Sequence, residues 1–228
     1  MKYDIMLVDI DDTLLDFSAA ERFAFDAVHK KNGLIYCEED YLFYHEANKT
    51  AWKALEKENL SLEELLSTRF ETYVKARKPS VSPKELSAGY EDFLGQEFSL
   101  LNDDVLPTLE FISARARIYA ITNGITKIQK NRIANSGVGK YLGGAFISQE
   151  IGKKKPSADF YDYIKSQIPD LNVETTLVVG DSMTADIPAA RFGYHTCLVG
   201  DLNADISNYE IQPEFRFSSF SEVKELFK

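Results

Sequence analysis

The sequence predicts an α/β fold: a doubly wound parallel sheet interrupted by an inserted bundle of helices. Three observations predict it. Short, continuous apolar runs alternate with segments of helical period, the pattern of strands covered by helices on both faces. One long interval near the N-terminus carries helical period only. Polar residues follow nearly every apolar run, where open α/β sheets bind their ligands.

Taken in chain order, the first predicted strand is Ile5–Val8. Between Ser18 and Leu100 no good strand follows. This interval reads as helices near Ala19–Lys31, Glu39–Glu58, Leu62–Lys78 and Pro83–Phe98. Ser61-Leu62-Glu63-Glu64 and Ser82-Pro83-Lys84-Glu85 both match the capping box, and Pro83 suits a first helical turn. Leu62, Leu65, Leu66, Phe70, Tyr73 and Val74 recur at helical spacing, so the third of these helices has a buried face. The aromatic group Tyr41, Phe43 and Tyr44 reads as packing.

Further strands follow at Ile118–Ile121, Ala145–Ile147, Leu177–Val179 and Thr196–Val199, with a weaker edge strand at Phe215–Phe217. Helices are expected at Pro107–Arg115, Lys127–Ser136, Ala158–Gln167 and Ala185–Phe192, with Gly137 and Gly193 as their C-terminal caps. The expected organisation is a Rossmann-like core from residues 1–17 and 101–228, with residues 18–100 as a four-helix domain over the carboxyl ends of the strands.

Composition narrows the function. The chain has 228 residues, 44% hydrophobic and 27% charged, which suits an ordinary globular protein. Its formal net charge of -10 argues against binding a nucleic-acid polymer. It does not exclude a small phosphorylated ligand held by local charges or a metal. Cys37 and Cys197 lack the spacing of a redox pair or zinc site, so two reduced thiols are expected, at least one of them packed. No segment approaches a membrane span and the start does not resemble a signal peptide; a cytoplasmic protein, monomer or homodimer, is expected. His29, His45 and His195 show no ligand spacing.

The strand ends carry the chemistry. The first run ends in Asp9-Ile10-Asp11-Asp12-Thr13, the second in Thr122-Asn123-Gly124, and the fourth in Gly180-Asp181-Ser182 with Asp186 close behind. Gly152-Lys153-Lys154-Lys155-Pro156 falls between the third and fourth. In an extended chain Asp9 and Asp11 point to the same side. Two such carboxylates repel unless a cation joins them, and Mg²⁺ takes carboxylate and phosphate oxygens. Asp181 would complete the protein side of that site. Any one of these acids alone is better explained as a turn or cap residue; the set, at matching strand ends with Thr122 and Lys155, is not.

These motifs resemble, in order, the four motifs of the haloacid dehalogenase-like superfamily, and the helical insertion after the first motif matches too. The resemblance covers essentially the whole chain. It implies that Asp9 is a nucleophile forming an aspartyl-phosphate, and that Asp11 protonates the leaving oxygen and then deprotonates water. It implies Mg²⁺ held by Asp9, the backbone carbonyl of Asp11 and Asp181. Thr122 and the backbone N–H of Asn123 would bind phosphoryl oxygens. Lys155, chosen over Lys153 and Lys154 because Pro156 follows it, would neutralise Asp9 and the phosphate. Asp186 would orient Lys155 or a metal-bound water. Asp12 departs from the glycine most often found there and reads as a helper of the turn.

The inserted domain suggests a narrower likeness. Asp11-Asp12-Thr13-Leu14-Leu15-Asp16-Phe17, Asn48-Lys49 with Trp52, and Thr68-Arg69-Phe70 are similar to the house-cleaning pyrimidine 5′-nucleotidases. That likeness implies a phosphatase for small metabolites, pyrimidine nucleoside monophosphates first, with Asn48, Trp52 and Arg69 as substrate contacts. Asn48 and Trp52 share a helix face, and offer an amide and a stacking surface. A sugar-phosphate phosphatase or phosphomutase would use the same four motifs. A haloacid dehalogenase would need neither a metal nor the acid at Asp11. A receiver-type signalling module is about half this length and has its acceptor after another strand, and a purely binding relative would not retain every catalytic position.

Overall fold

The computed structural model describes residues 3–56 and 60–228. Its chain divides into two compact units, Met1–Phe17 with Phe98–Lys228, and Ser18–Glu97.

The first unit is built on a sheet. Its strands are β1 (Ile5–Val8), β2 (Arg117–Thr122), β3 (Leu142–Ile147), β4 (Thr176–Gly180), β5 (His195–Val199) and β6 (Phe215–Phe217). Among the described residues they form a six-stranded sheet in the order β3-β2-β1-β4-β5-β6, with every pairing parallel. Alternation along β1 distributes the core: Met6 and Val8 pack on one face with Val105, Leu109 and Ile112, while Ile5 and Leu7 pack on the other with Phe160, Tyr161 and Ile164. Continuous apolar runs were the right signal because both faces of the strand are buried.

Boundaries moved for local reasons. The helix expected from Pro107 begins at Val105, ending at Ser113, so Pro107 lies in the first turn, where a missing N–H costs nothing. The expected α-helix Ala185–Phe192 is a 3-10 stretch, Ile187–Phe192; Pro188 in its first turn offers no amide for a longer ladder. Gly137 and Gly193 adopt the left-handed conformation expected of C-terminal caps. Phe98 and the residues after it belong with the sheet: Ser99 accepts a bond from the Asp16 N–H at 3.0 Å, and Leu100 bridges Leu15.

The second unit is helical, comprising α1 (Phe17–Lys31, which starts two residues earlier than expected), α2 (Glu38–Glu56), α3 (Leu62–Arg77) and α4 (Pro83–Leu94). Residues 57 and 58 of the expected second helix lie outside the described residues. Both capping boxes form, Ser61 with Glu64 and Ser82 with Glu85. Gly95 ends α4 short of the expected Phe98. The interior is aromatic: Tyr44 stacks on Phe70 at 4.5 Å, Tyr73 and Tyr90 pack edge-on around them, and Phe25 lies tilted against Tyr44. Among the described residues no helix is long and apolar enough to cross a membrane. Cys197 is buried and Cys37 exposed, both unpaired with each other. In the sheet unit α5 is Val105–Ser113, α6 Thr126–Ser136, α7 Ser148–Ile151 and α8 Ala158–Gln167.

His29 gives this bundle a pH signature. Its Nδ1 lies 2.7 Å from the Phe25 carbonyl and its Nε2 2.9 Å from the Tyr73 hydroxyl, so Nδ1–H donates and Nε2 accepts from Tyr73. Burial pushes its pKa below the ordinary 6.5. Stability from neutral His29 is therefore complete above that value and shrinks as pH falls below it, because the unfolded chain takes up the proton first. Between about pH 7.5 and about pH 5.5 the wild type should lose more melting temperature than His29→Phe. Parallel losses in the two proteins would show that His29 does not titrate with folding.

Candidate active site

The register of the sheet brings the motifs together. Val8 of β1 pairs with Ala120 of β2 and Val179 of β4, and the Asp9 N–H donates to the Val179 carbonyl at 2.9 Å. Asp9, Thr122 and Asp181 thus leave three adjacent strands at one edge, two of them just past a strand end.

One ammonium organises the centre. The Lys155 Nζ donates to Asp9 Oδ1 at 2.5 Å, to Asp186 Oδ1 at 2.7 Å and to the Ile121 carbonyl at 3.0 Å. These use all three donors of a lysine. Lys155, Asp9 and Asp186 are all buried. Burial opposes the lysine's charge, but the carboxylates of Asp186 and Asp9 outweigh it and hold its pKa well above the ordinary value. Asp9 moves upward as well: burial is the main cause, Lys155 opposes it, and Asp186 and Asp11 add to it.

Asp9, Asp181 and Asp186 each present a carboxylate oxygen, all within 4.8 Å of one another. Asp181 is open to solvent on one side. Loss of hydration on its packed side, then the charges of Asp9 and Asp186, raise its pKa well above the ordinary value. Three acids here face one ammonium, an excess of negative charge that a hard, oxygen-seeking cation would correct. The donor set contains oxygen alone, which fits Mg²⁺ and not a soft metal.

Two glycines make room for this packing. A Cβ on Gly180 would fall 2.1 Å from Asp186 Oδ2; that oxygen instead accepts from the Ser182 N–H at 3.1 Å. A Cβ on Gly124 would meet the Gln129 side chain at 2.4 Å.

The Asp11 carboxylate is not one of the three grouped acids. The strand ends at Val8, and Asp12 turns the chain with φ 55, a left-handed conformation that Asp tolerates better than most residues. Asp12 accepts from the Phe17 N–H at 3.1 Å, so it does support the turn. Its own pKa is pushed up to about 6, by burial first and the neighbouring Asp11 second. The Asp11 carboxylate instead meets Arg132 through Oδ1 and Gln129 Nε2, at 2.6 Å, through Oδ2.

Asn123 has a structural duty that the motif did not reveal. Its side-chain amide donates to the Lys155 carbonyl at 2.9 Å and accepts from the Lys155 N–H at 2.8 Å, pinning the loop that delivers the ammonium. The buried Thr122 hydroxyl accepts from the Gly124 N–H at 3.0 Å. Lys153 pairs with Asp159 near the surface at 2.9 Å, in keeping with a solvated loop charge.

Two of the three helical-unit candidates, Asn48 and Arg69, are buried. Asn48 is buried and donates to Glu21 at 2.8 Å, leaving Oδ1 without a partner among the described residues. Arg69 is buried, paired with Glu91 at 2.9 Å, and packed over the Tyr90 ring. Trp52 is half-buried, its indole N–H unpartnered among the described residues. Glu21, Gln129 and Arg132 escaped the sequence reading. A signal existed for the last two: Gln129 and Arg132 interrupt the apolar stripe of Ile125, Ile128 and Ile133.

A family model described as haloacid dehalogenase-like hydrolase matches residues 3–192. The chain is 39% identical over 189 residues to pyrimidine 5′-nucleotidase PynA of Streptococcus pneumoniae, spanning 82% of this chain and 79% of that one. It is 28% identical over 232 residues to pyrimidine 5′-nucleotidase YjjG of Escherichia coli, spanning 99% and 98% respectively. The crystal structure of the HAD-hydrolase YfnB of Bacillus subtilis, bound to magnesium, superposes with a TM-score of 0.93 at 27% identity and covers 100% of both chains.

The space at Gly180 generates a test of the centre's packing. Gly180→Ala should displace Asp186 and lower stability by about 1–3 kcal/mol, measured by chemical denaturation. An unchanged midpoint would show that the acid cluster tolerates expansion.

Proposed function

Because the chain belongs to the haloacid dehalogenase-like hydrolases, we propose that it is a magnesium-dependent phosphate-monoester hydrolase acting through an aspartyl-phosphate, with pyrimidine nucleoside 5′-monophosphates as substrates. The observation that carries the reaction is the buried Lys155 ammonium bridging Asp9 and Asp186 beside Asp181. The substrate class rests on the similarity to the two pyrimidine 5′-nucleotidases.

A carboxylate oxygen of Asp9 forms a bond to phosphorus while the bond to the ester oxygen breaks. Asp11 gives that departing oxygen a proton. Water then attacks the aspartyl-phosphate, passes a proton to Asp11 and releases Asp9 with inorganic phosphate. Lys155 stays charged throughout, fixing the orientation of Asp9 and opposing phosphate charge. The Thr122 hydroxyl and the Asn123 backbone N–H bind phosphoryl oxygens; the Asn123 amide, occupied by Lys155, leaves that N–H as the group to do so. Asp9, the backbone carbonyl of Asp11 and Asp181 would hold Mg²⁺, whose charge lets an anionic carboxylate approach an anionic phosphate. Asp186 orients Lys155. Asn48, Trp52 and Arg69 act on specificity through the helical unit.

The test is phosphate release from nucleoside monophosphates and sugar phosphates, with Mg²⁺ and with chelator. Pyrimidine nucleotides should lead, chelator should abolish turnover, and Asp9→Asn should lower it by about 10⁴- to 10⁶-fold. Near-normal turnover by Asp9→Asn would remove the covalent mechanism. A wide preference for sugar phosphates would remove the nucleotide assignment alone.

A further inference from the structure

The loop carrying Asp11 is bound to α6 at two points. Arg132 donates to Asp11 Oδ1 and Gln129 to Asp11 Oδ2 at 2.6 Å. Gln129 and Arg132 are three residues apart on one helix, hence on one face, and both are buried. Arg132 also reaches the Asp16 carbonyl at 3.4 Å, at the far end of the same loop. A single contact would leave a carboxylate free to rotate; contacts to both oxygens from one rigid element fix its direction.

This arrangement costs the fold something. Arg132 is fully buried while Asp11 keeps partial exposure, and taking a guanidinium out of water for such a pair seldom adds stability over well-packed apolar side chains. The Gln129 Oε1 is buried without a partner among the described residues, an unfavourable state for an amide. The amide nevertheless turns its donor to Asp11, and Gly124 lacks the Cβ that would block its path. Stability alone does not account for two polar side chains on the apolar stripe of α6, whereas orienting Asp11 does.

We propose that Gln129 and Arg132 are positioning residues that aim the Asp11 carboxylate at the leaving oxygen. This rests on Asp11 as the proton carrier of the reaction above. The carrier acts on the alkoxide that departs when the phosphorus–oxygen bond breaks, because an alkoxide needs a proton to leave. A nitrophenolate leaves without one. A misaimed Asp11 therefore slows release of an alcohol and spares release of a nitrophenol.

The experiment compares kcat/KM, which covers the steps up to departure of the leaving group and not the later hydrolysis that Asp11 also serves, for uridine 5′-monophosphate and p-nitrophenyl phosphate in wild type, Asp11→Asn, Gln129→Leu and Arg132→Lys, with melting temperature as the folding control. Asp11→Asn should lose on the order of 10²–10⁴-fold on the nucleotide and far less on the nitrophenyl ester. Gln129→Leu should repeat that selectivity with a loss of up to about 10²-fold, and should add little to the nucleotide defect of Asp11→Asn. Arg132→Lys, which keeps a cation, should be milder. If Asp11→Asn is selective but folded Gln129→Leu and Arg132→Lys lose nothing, or lose equally on both esters, the positioning role is overturned while the proton-carrier reading survives. If Asp11→Asn itself loses equally on both, the carrier reading fails and the proposal falls with it.

Discussion

The burial of one ammonium is the constraint on which the sheet-edge centre depends. Removing a lysine from water costs several kcal/mol unless partners replace the lost hydration. Lys155 has those partners in Asp9, Asp186 and the Ile121 carbonyl. They come from the end of β1, the segment after β4, and β2. A single charge thus ties three neighbouring strands at their carboxyl ends. The dependence is mutual, because without Lys155 two buried carboxylates would face each other unscreened. Much of the surrounding sequence serves this contact: Asn123 grips the backbone of Lys155, and Gly180 leaves the volume that Asp186 fills.

What could be read from the residues was mainly what is local. Capping boxes span one turn, so Ser61–Glu64 and Ser82–Glu85 were legible without tertiary information. Continuous apolar runs marked β1, β2, β4 and β5, because burial on both faces leaves no alternation to misread. Element ends were less legible, since a proline at Pro107 or Pro188 is compatible with several placements within a first turn. The partner of Asp11 was not legible at all. Extended geometry put Asp9 and Asp11 on one side, but the strand ends at Val8, before either residue, and Gln129 and Arg132 lie 118 and 121 residues away. Lys155 is 146 residues from Asp9; its motif, read through a family resemblance, is what singled it out from its two neighbouring lysines.

The helical unit illustrates a different limit. Spacing places Asn48 and Trp52 on one face of α2, but periodicity does not say whether a polar group on that face looks inward. Glu21 supplies the missing fact. Its buried carboxylate accepts from Tyr41 at 3.1 Å, from Asn48 at 2.8 Å and faces His45 at 2.5 Å. A buried carboxylate needs such donors, so α1 draws the polar face of α2 toward it. Asn48 therefore has an architectural function whatever else it does, and so does Arg69 through Glu91. Effects of substituting either residue on specificity have to be separated from effects on the bundle.

Asp9 and Asp11 sit two residues apart, yet the fold gives them unlike counter-charges. Asp9 receives a lysine, a compact charge shared with a second carboxylate, which engages one of its two oxygens. Asp11 receives an arginine and an amide, planar donors that engage both oxygens and dictate direction. In the reaction proposed above, the nucleophile needs an oxygen with its charge balanced, and the proton carrier needs a fixed line to the atom it serves. The same two side chains joined by one shared cation would have had neither distinction. Giving them different partners required a strand that ends before either residue and a helix, α6, whose buried face is partly polar.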